Sequence, residues 1–295
     1  LSSWYAHGKL LLSGEYSLLH GADALVLPVV LGQHLEFTPN AGRGLLYWQA
    51  LDDRGDTWLQ ASFTLKGRAH STPNPGTKKL QHILQAAVRL SDRFLPEGQV
   101  ITRLEFDRNW GLGSSSSLYH LVGQWLAVSP LALFRACEEP GSGYDLVAAG
   151  RDTPFLFARK GEKIMDISSL PLVFQETWLV HLNQKQDSLK EVQRFRQRAV
   201  SLGSIEEISN LSRALLGVKT TADLLSLWRA HEKCTGALIG MEPVQERLFP
   251  DFTGGIKSLG AWGGDFIWVA GPDAPHYFRQ RGYTTVLPFA ELSII

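Results

Sequence analysis

Two glycines and four serines in Arg108-Asn-Trp-Gly-Leu-Gly-Ser-Ser-Ser-Ser117 supply the groups a phosphate would need. Period-two alternation over residues 101–107 predicts a strand before them. Leu118, Leu121, Val122, Trp125 and Leu126 then fall on one helical face, so the turn opens a helix. There the first backbone N–H groups lack intrahelical partners, the macrodipole is positive, and glycine lets an anion approach the main chain. Serine hydroxyls add donors, or a ligand for magnesium. Ordinary helix capping uses the same residue types, so the segment alone leaves both readings open. A dinucleotide fingerprint begun at Gly111-Leu-Gly113 fails, because Ser116 stands where the third glycine belongs and no acid follows about 20 residues on. The pattern GxxxxGK[ST] is absent.

Three distant segments carry further chemistry. Ala6-His-Gly-Lys-Leu-Leu-Leu-Ser-Gly-Glu-Tyr16 sets a short apolar strand between Lys9 and Glu15. Gly141-Ser-Gly-Tyr-Asp145 ends a turn on a carboxylate, and Lys257-Ser-Leu-Gly-Ala-Trp-Gly-Gly-Asp-Phe266 forms a second glycine-rich turn between strands. Phosphoryl transfer has a loose, charge-spreading transition state, so a protein catalyses it mainly by positioning groups and neutralising oxygens. A lysine can attract the transferring group and keep a nearby aspartate ionised, since an opposite charge within a few ångströms lowers a carboxylate pKa by about 1–3 units. Asp145 could then accept or orient an alcohol proton. Each residue also has a plainer role: Lys9 as a solvated strand end, Asp145 as the cap of a helix over 146–149, Asp265 as a turn former.

Taken together, the four segments resemble the GHMP kinases, in order and in approximate spacing, over nearly the whole chain. The resemblance implies an α+β, two-domain GHMP kinase fold. A ribosomal protein S5 domain 2-like N-terminal domain would cover residues 1–170, and a ferredoxin-like C-terminal domain 171–295. It implies that the backbone of Gly111, Leu112, Gly113, Ser114, Ser115 and Ser116 wraps the phosphates of ATP, that Ser115 helps bind Mg2+, and that Glu15 lies near nucleotide and metal. Lys9 and Asp145 become the catalytic pair, while Gly260, Gly263 and Gly264 close over the phosphates. Three departures stand out. His7 replaces a proline, and Trp262 replaces a glycine, so that its indole stacks on a ligand or a neighbouring segment, or the loop is wider. The usual second metal carboxylate is missing, with Glu138 and Glu139 as candidates.

Within the family, Gly14-Glu15-Tyr16, Gly141 to Asp145 and Gly263-Gly-Asp265 look like phosphomevalonate kinase, while Leu19-His-Gly21 and the short length look like mevalonate kinase. The expectation is ATP-dependent phosphorylation of mevalonate or a closely related small hydroxy acid. Phosphomevalonate kinase, a sugar or amino-alcohol kinase and a degenerate nucleotide binder are the alternatives. An already phosphorylated acceptor would need extra cations, for which Arg68, Lys78 and Lys79 are candidates. Whether two copies pair as a homodimer stays open.

Composition fits a soluble enzyme of 295 residues, with 44% apolar and 20% charged residues. Lysine plus arginine equals aspartate plus glutamate at 29 each, so no global field recruits nucleic acid or an acidic membrane. Cys137 and Cys234 form no metal spacing or disulfide framework, as expected in a reducing cytoplasm. The apolar run 24–31 is too short to span a bilayer, and the first residues do not read as a signal peptide. His231-Glu232 lacks the second histidine of HExxH, and no serine follows GxSxG. Lys190, Arg194, Arg196 and Arg198 read as a solvated helix face.

The elements that must position these groups follow from periodicity and turn signals. Strands fill residues 1–65, and a proline-rich loop at 71–76 leads into a helix over 78–94. The strand, serine turn and helix come next, then a hairpin through Lys160-Gly161. A strand at 178–182, helices over 188–240, strands at 255–259 and 266–270, a helix at 275–281 and a strand at 284–287 complete the ferredoxin-like order.

Overall fold

The computed structural model describes residues 1–295 except 41–43, 71–73, 140, 159–162, 185–194, 196, 261, 263 and 295. The N-terminal half forms a seven-stranded sheet from β1 (Ser2–Leu11), β2 (Asp23–Pro39), β3 (Leu45–Leu51), β4 (Thr57–Thr64), β5 (Gly98–Leu104), β6 (Phe155–Ala158) and β7 (Lys163–Asp166). Its order is β4-β3-β5-β2-β6-β7, with β1 paired to β2. Only β3 and β5 run parallel among these pairs. The hairpin expected through Lys160-Gly161 is present as the antiparallel pair β6 and β7; its turn lies outside the described residues.

Three helices cover one face: α1 (Pro75–Ser91), α2 (Ser114–Trp125) and α3 (Pro130–Ala136). Asn74 caps α1 by accepting from the Thr77 N–H, with proline at its first position, which explains a start three residues earlier than periodicity alone suggests. Leu121, Val122 and Trp125 of α2 pack into a core with Leu80, Ile83 and Leu84 of α1 and Leu35, Trp48 and Val100 of the sheet. The short helix α4 (Tyr144–Ala148) follows the Gly141–Gly143 turn.

The second sheet has the order β11-β8-β10-β9, all antiparallel, from β8 (Trp178–His181), β9 (Gly255–Ser258), β10 (Phe266–Ala270) and β11 (Val286–Pro288). In chain order the strands lie fourth, first, third, second, with helices Thr221–Ile239 and Ala274–Gln280 against them. That is the ferredoxin-like arrangement expected from the sequence, with the helix Leu202–Ala214 inserted. Of the helices expected over 188–240, the part at 188–194 falls outside the described residues.

One hydrophobic cluster joins the two sheets. Leu10, Leu25 and Leu27 of the first, with Leu12 just after β1, share it with Leu179 and Trp268 of the second, Trp228 of the helix Thr221–Ile239 and Phe289 just after β11. The site-bearing loops of both halves are therefore held by shared packing. Among the described residues, no helix is long and apolar enough to cross a membrane.

Candidate active site

The serine-rich turn lies where β5 hands the chain to α2. Gly113 is the N-cap of α2 at φ +89°, a left-handed conformation that glycine adopts without a Cβ penalty. It has no side chain with which to cap the helix. The amides that open α2 thus keep their donors for an external acceptor, as an anion site requires. Gly111, Gly113, Ser114 and Ser115 are partly exposed, whereas Leu112 is buried and anchors the loop in the core that joins the sheets. Ser117 is fully buried and donates to Gln33 Oε1, so the last serine of the run is structural.

Strand β1 brings Lys9 beneath this loop. The Lys9 N–H donates to Leu112 O at 2.9 Å, and its Nζ donates to Gly111 O at 2.8 Å. Gly113 leaves room for the lysine stem, since a Cβ there would stand 3.2 Å from Lys9 Cγ. Burial works to lower the Lys9 pKa, but Tyr144, Asp145 and Asp265 outweigh it and hold the ammonium above its ordinary value. Lys9 is thus a fixed cation facing two carboxylates. His7, in place of the expected proline, lies in β1 at a bulge, with Nδ1 2.8 Å from Val29 O and Nε2 3.0 Å from Asp152.

Asp145 lies in the first turn of α4, whose N-cap is Gly143, so the plain capping role does not apply. Its Oδ2 accepts from Ser116 Oγ at 2.6 Å, and its Oδ1 accepts from the Leu146 N–H at 3.1 Å. Ser116 therefore ties the carboxylate to the serine turn across 29 residues. Tyr144 adjoins the charged pair, its ring centroid 5.8 Å from Lys9 Nζ. Burial and Asp145 raise its phenol pKa, while Lys9, in hydrogen-bond contact, pulls the other way. The third glycine loop closes the cluster from the second sheet: a Cβ on Gly111 would stand 2.4 Å from Asp265 Oδ2, and Gly260, at φ +63°, lies behind the same carboxylate. Gly264 is buried beside Asp265; Gly263 lies outside the described residues.

Ser115 points to another cation. Lys79, from α1, donates to Ser115 Oγ at 2.8 Å and pairs with Glu139 Oε1 at 3.1 Å. Tyr119 donates to the same oxygen at 2.9 Å. Of the two glutamates proposed as a second metal carboxylate, Glu139 is thus next to Ser115 through Lys79, while Glu138 occupies a left-handed turn position. No group of three or more histidine, cysteine, aspartate or glutamate side chains suited to a metal occurs among the described residues. A hydroxyl and one carboxylate fit magnesium, which commonly takes one or two carboxylates and completes its shell with substrate phosphates and water.

The placement of Glu15 differs from what the resemblance implies. Its carboxylate is fully buried, with Oε1 2.5 Å from Lys257 Nζ and Oε2 3.5 Å from His231 Nε2. Burial raises its pKa and Lys257 opposes that rise. The same ammonium lies 4.0 Å from Glu232, which accepts from the Ser258 N–H and hydroxyl and is pushed by burial up to about 8. Burial also drives His231 well below its ordinary value, so the ring is neutral. Its Nε2 accepts from the Gly14 N–H, which leaves the ring proton on Nδ1. Through Oε1, Glu15 pins the first motif to the strand leading into the third, while its Oε2 is buried without a hydrogen-bond partner among the described residues, and neither oxygen is exposed.

Trp262 is buried as well, at 3% exposure, in a cluster with Tyr16 and Phe195. Of the two placements open for its indole, it packs on neighbouring protein, 3.4 Å from where a Cβ on Gly236 would be.

Lys257, Glu232, His231, Tyr144 and Lys79 had no site role in the sequence reading beyond the guess of Lys79 as an acceptor cation. A lysine inside the short strand Gly255–Ser258 was the one available signal for Lys257. The contact between Lys79 and Ser115 spans 36 residues and has no periodic trace.

Among solved structures, the chain resembles Methanococcus jannaschii mevalonate kinase at TM-score 0.71 and 14% identity, over 97% of this chain and 96% of that one. It resembles Streptococcus pneumoniae phosphomevalonate kinase in complex with phosphomevalonate and AMPPNP at TM-score 0.70 and 17% identity, over 97% and 99%. Lactococcus lactis galactokinase complexed with galactose aligns at TM-score 0.66 and 13% identity, over 94% and 87%. No protein-family profile matches the sequence, and comparison with curated proteins yields no match. The α+β architecture with two sheets is thus the GHMP kinase fold.

Proposed function

We propose that the chain is an ATP-dependent phosphotransferase acting on a small-molecule alcohol, with a mevalonate-like hydroxy acid as the acceptor. The observation that carries this reading is the Ser116–Asp145 hydrogen bond of 2.6 Å beside Lys9. It makes the carboxylate, the ammonium and the helix-opening turn one connected unit, drawn from three segments far apart in sequence.

In this reading the amides opening α2, with Gly111, Gly113 and the hydroxyls of Ser114 and Ser115, hold the triphosphate of ATP. Asp145, oriented by Ser116, takes the proton of the acceptor hydroxyl. The acceptor oxygen bonds to the γ-phosphorus as the bond to the β-phosphate oxygen breaks, and ADP leaves. Lys9 neutralises charge on the transferring oxygens. Ser115 and Glu139 are the residues that would hold Mg2+, which would supply charge neutralisation to the phosphates. Asp265 adds a carboxylate whose charge acts on Lys9, and Gly260 and Gly264 border the phosphates.

The likeness in fold to mevalonate kinase and phosphomevalonate kinase supports the acceptor assignment, together with the Gly14-Glu15-Tyr16 and Gly141 to Asp145 motifs. The test is transfer of label from γ-labelled ATP to mevalonate, phosphomevalonate, galactose and homoserine, assayed in parallel. Preferential labelling of mevalonate is expected. Labelling of another acceptor replaces the substrate assignment, and labelling of none removes the kinase reading for these alcohols.

A further inference from the structure

We propose that Lys79 and magnesium compete for the same two oxygens, Ser115 Oγ and Glu139 Oε1, so that the lysine sets how much magnesium nucleotide binding requires. This inference rests on the phosphotransferase reading above. In the folded chain the Lys79 ammonium bridges the hydroxyl at 2.8 Å and the carboxylate at 3.1 Å. Those are the protein groups at the start of α2 that suit magnesium, and Lys79 engages both.

The bridge is fixed from several sides. Lys79 lies in the first turns of α1, a helix capped by Asn74 and packed on the sheet. Its Nζ also stands 5.8 Å from the centroid of the Tyr119 ring, and Tyr119 donates its own hydroxyl to Glu139. Tyr119 is buried at 1% exposure and Glu139 is mostly buried, so the carboxylate cannot turn away freely to ligate a metal elsewhere. The Lys79 side chain is 41% exposed, and it is the member of the group with room to swing aside.

Two consequences follow. An ammonium already seated against Ser115 supplies positive charge to a phosphate without metal. A divalent ion entering between Ser115 and Glu139 must displace it and break one charge-assisted hydrogen bond and one ion pair. Interactions of this kind at a partly exposed site correspond to about a five- to tenfold change in an equilibrium constant.

The test is binding of a fluorescent ADP analogue to the full chain, followed first in EDTA and then across a magnesium titration. Lys79→Met should weaken binding in EDTA and lower the magnesium midpoint about five- to tenfold. Lys79→Arg, which keeps the cation, should stay near the wild-type midpoint, and Glu139→Gln should raise it. An unchanged or raised midpoint in Lys79→Met, with nucleotide still bound, overturns the competition while leaving nucleotide binding intact. Absence of nucleotide binding by the wild type at every magnesium concentration overturns the underlying phosphotransferase reading and the competition with it. Thermal unfolding of each variant separates a folding defect from a shifted midpoint.

Discussion

Replacing Lys257 by methionine removes the ammonium between two buried carboxyl groups and leaves an apolar side chain of similar reach. Lys257 lies 2.5 Å from Glu15 and 4.0 Å from Glu232, and neither acid has more than 3% of its side chain exposed. Without the lysine, burial is unopposed and Glu15 must take up a proton to stay inside. Neutralising a carboxyl of ordinary value 4.5 at pH 7 costs up to about 3 kcal/mol, at 1.36 kcal/mol per unit, less whatever burial already raises it in the wild type. That agrees with the roughly 3–5 kcal/mol lost when one partner of a buried pair is removed. Glu232, already raised to about 8, is largely neutral at pH 7 and adds little.

The sign of the pH dependence follows from linkage. A carboxyl whose folded value lies above its unfolded value contributes stability below the unfolded value and loses it as pH rises. The variant's deficit should therefore shrink as pH falls from 7 to 5, by at most about 1.4 kcal/mol per unit, leaving mainly the lost hydrogen bonds. Urea unfolding followed by the fluorescence of the nine tryptophans, on wild type and variant at pH 5, 6 and 7, measures this directly. A deficit equal at pH 5 and pH 7, or below about 1 kcal/mol at pH 7, would refute the buried-charge argument.

Asp145→Asn should lower kcat by about 10²–10⁴ while leaving ATP affinity within about twofold, and a parallel loss of ATP binding would reassign the residue from base to structural support. Gly111→Ala meets Asp265 Oδ2 at 2.4 Å and a φ of +67°, so kcat/KM for ATP should fall at least about tenfold. Gly55→Ala, at φ +88° with open space around it, is the control: it should cost about 1–2 kcal/mol of stability with no change in turnover, and equal kinetics in the two variants would discount the Asp265 contact. Trp262→Ala should destabilise by about 3–5 kcal/mol in denaturant unfolding, because the buried indole packs in one cluster with Tyr16 and Phe195; a loss under about 1 kcal/mol would mean that the cluster is not tightly packed.

Local chemistry written along the chain determined the strand, turn and helix around Gly111 to Ser117, the hairpin of β6 and β7, and the strand at 266–270. In each, periodicity and turn residues act over a few neighbours. The same local record told that Lys9, Ser116 and Asp145 were of the right types. Their meeting was decided by tertiary structure, because the Ser116–Asp145 bond depends on α2 and α4 packing together. The fate of charged groups was settled there too. Glu15 became a buried partner of Lys257 across 242 residues, and Ser115 acquired Lys79 as a neighbour. Burial depends on what the remote chain lays over a side chain, and an ionised group once buried must take its partner from whatever that packing brings near. Neither quantity has a period or a spacing, so neither leaves a mark in sequence order.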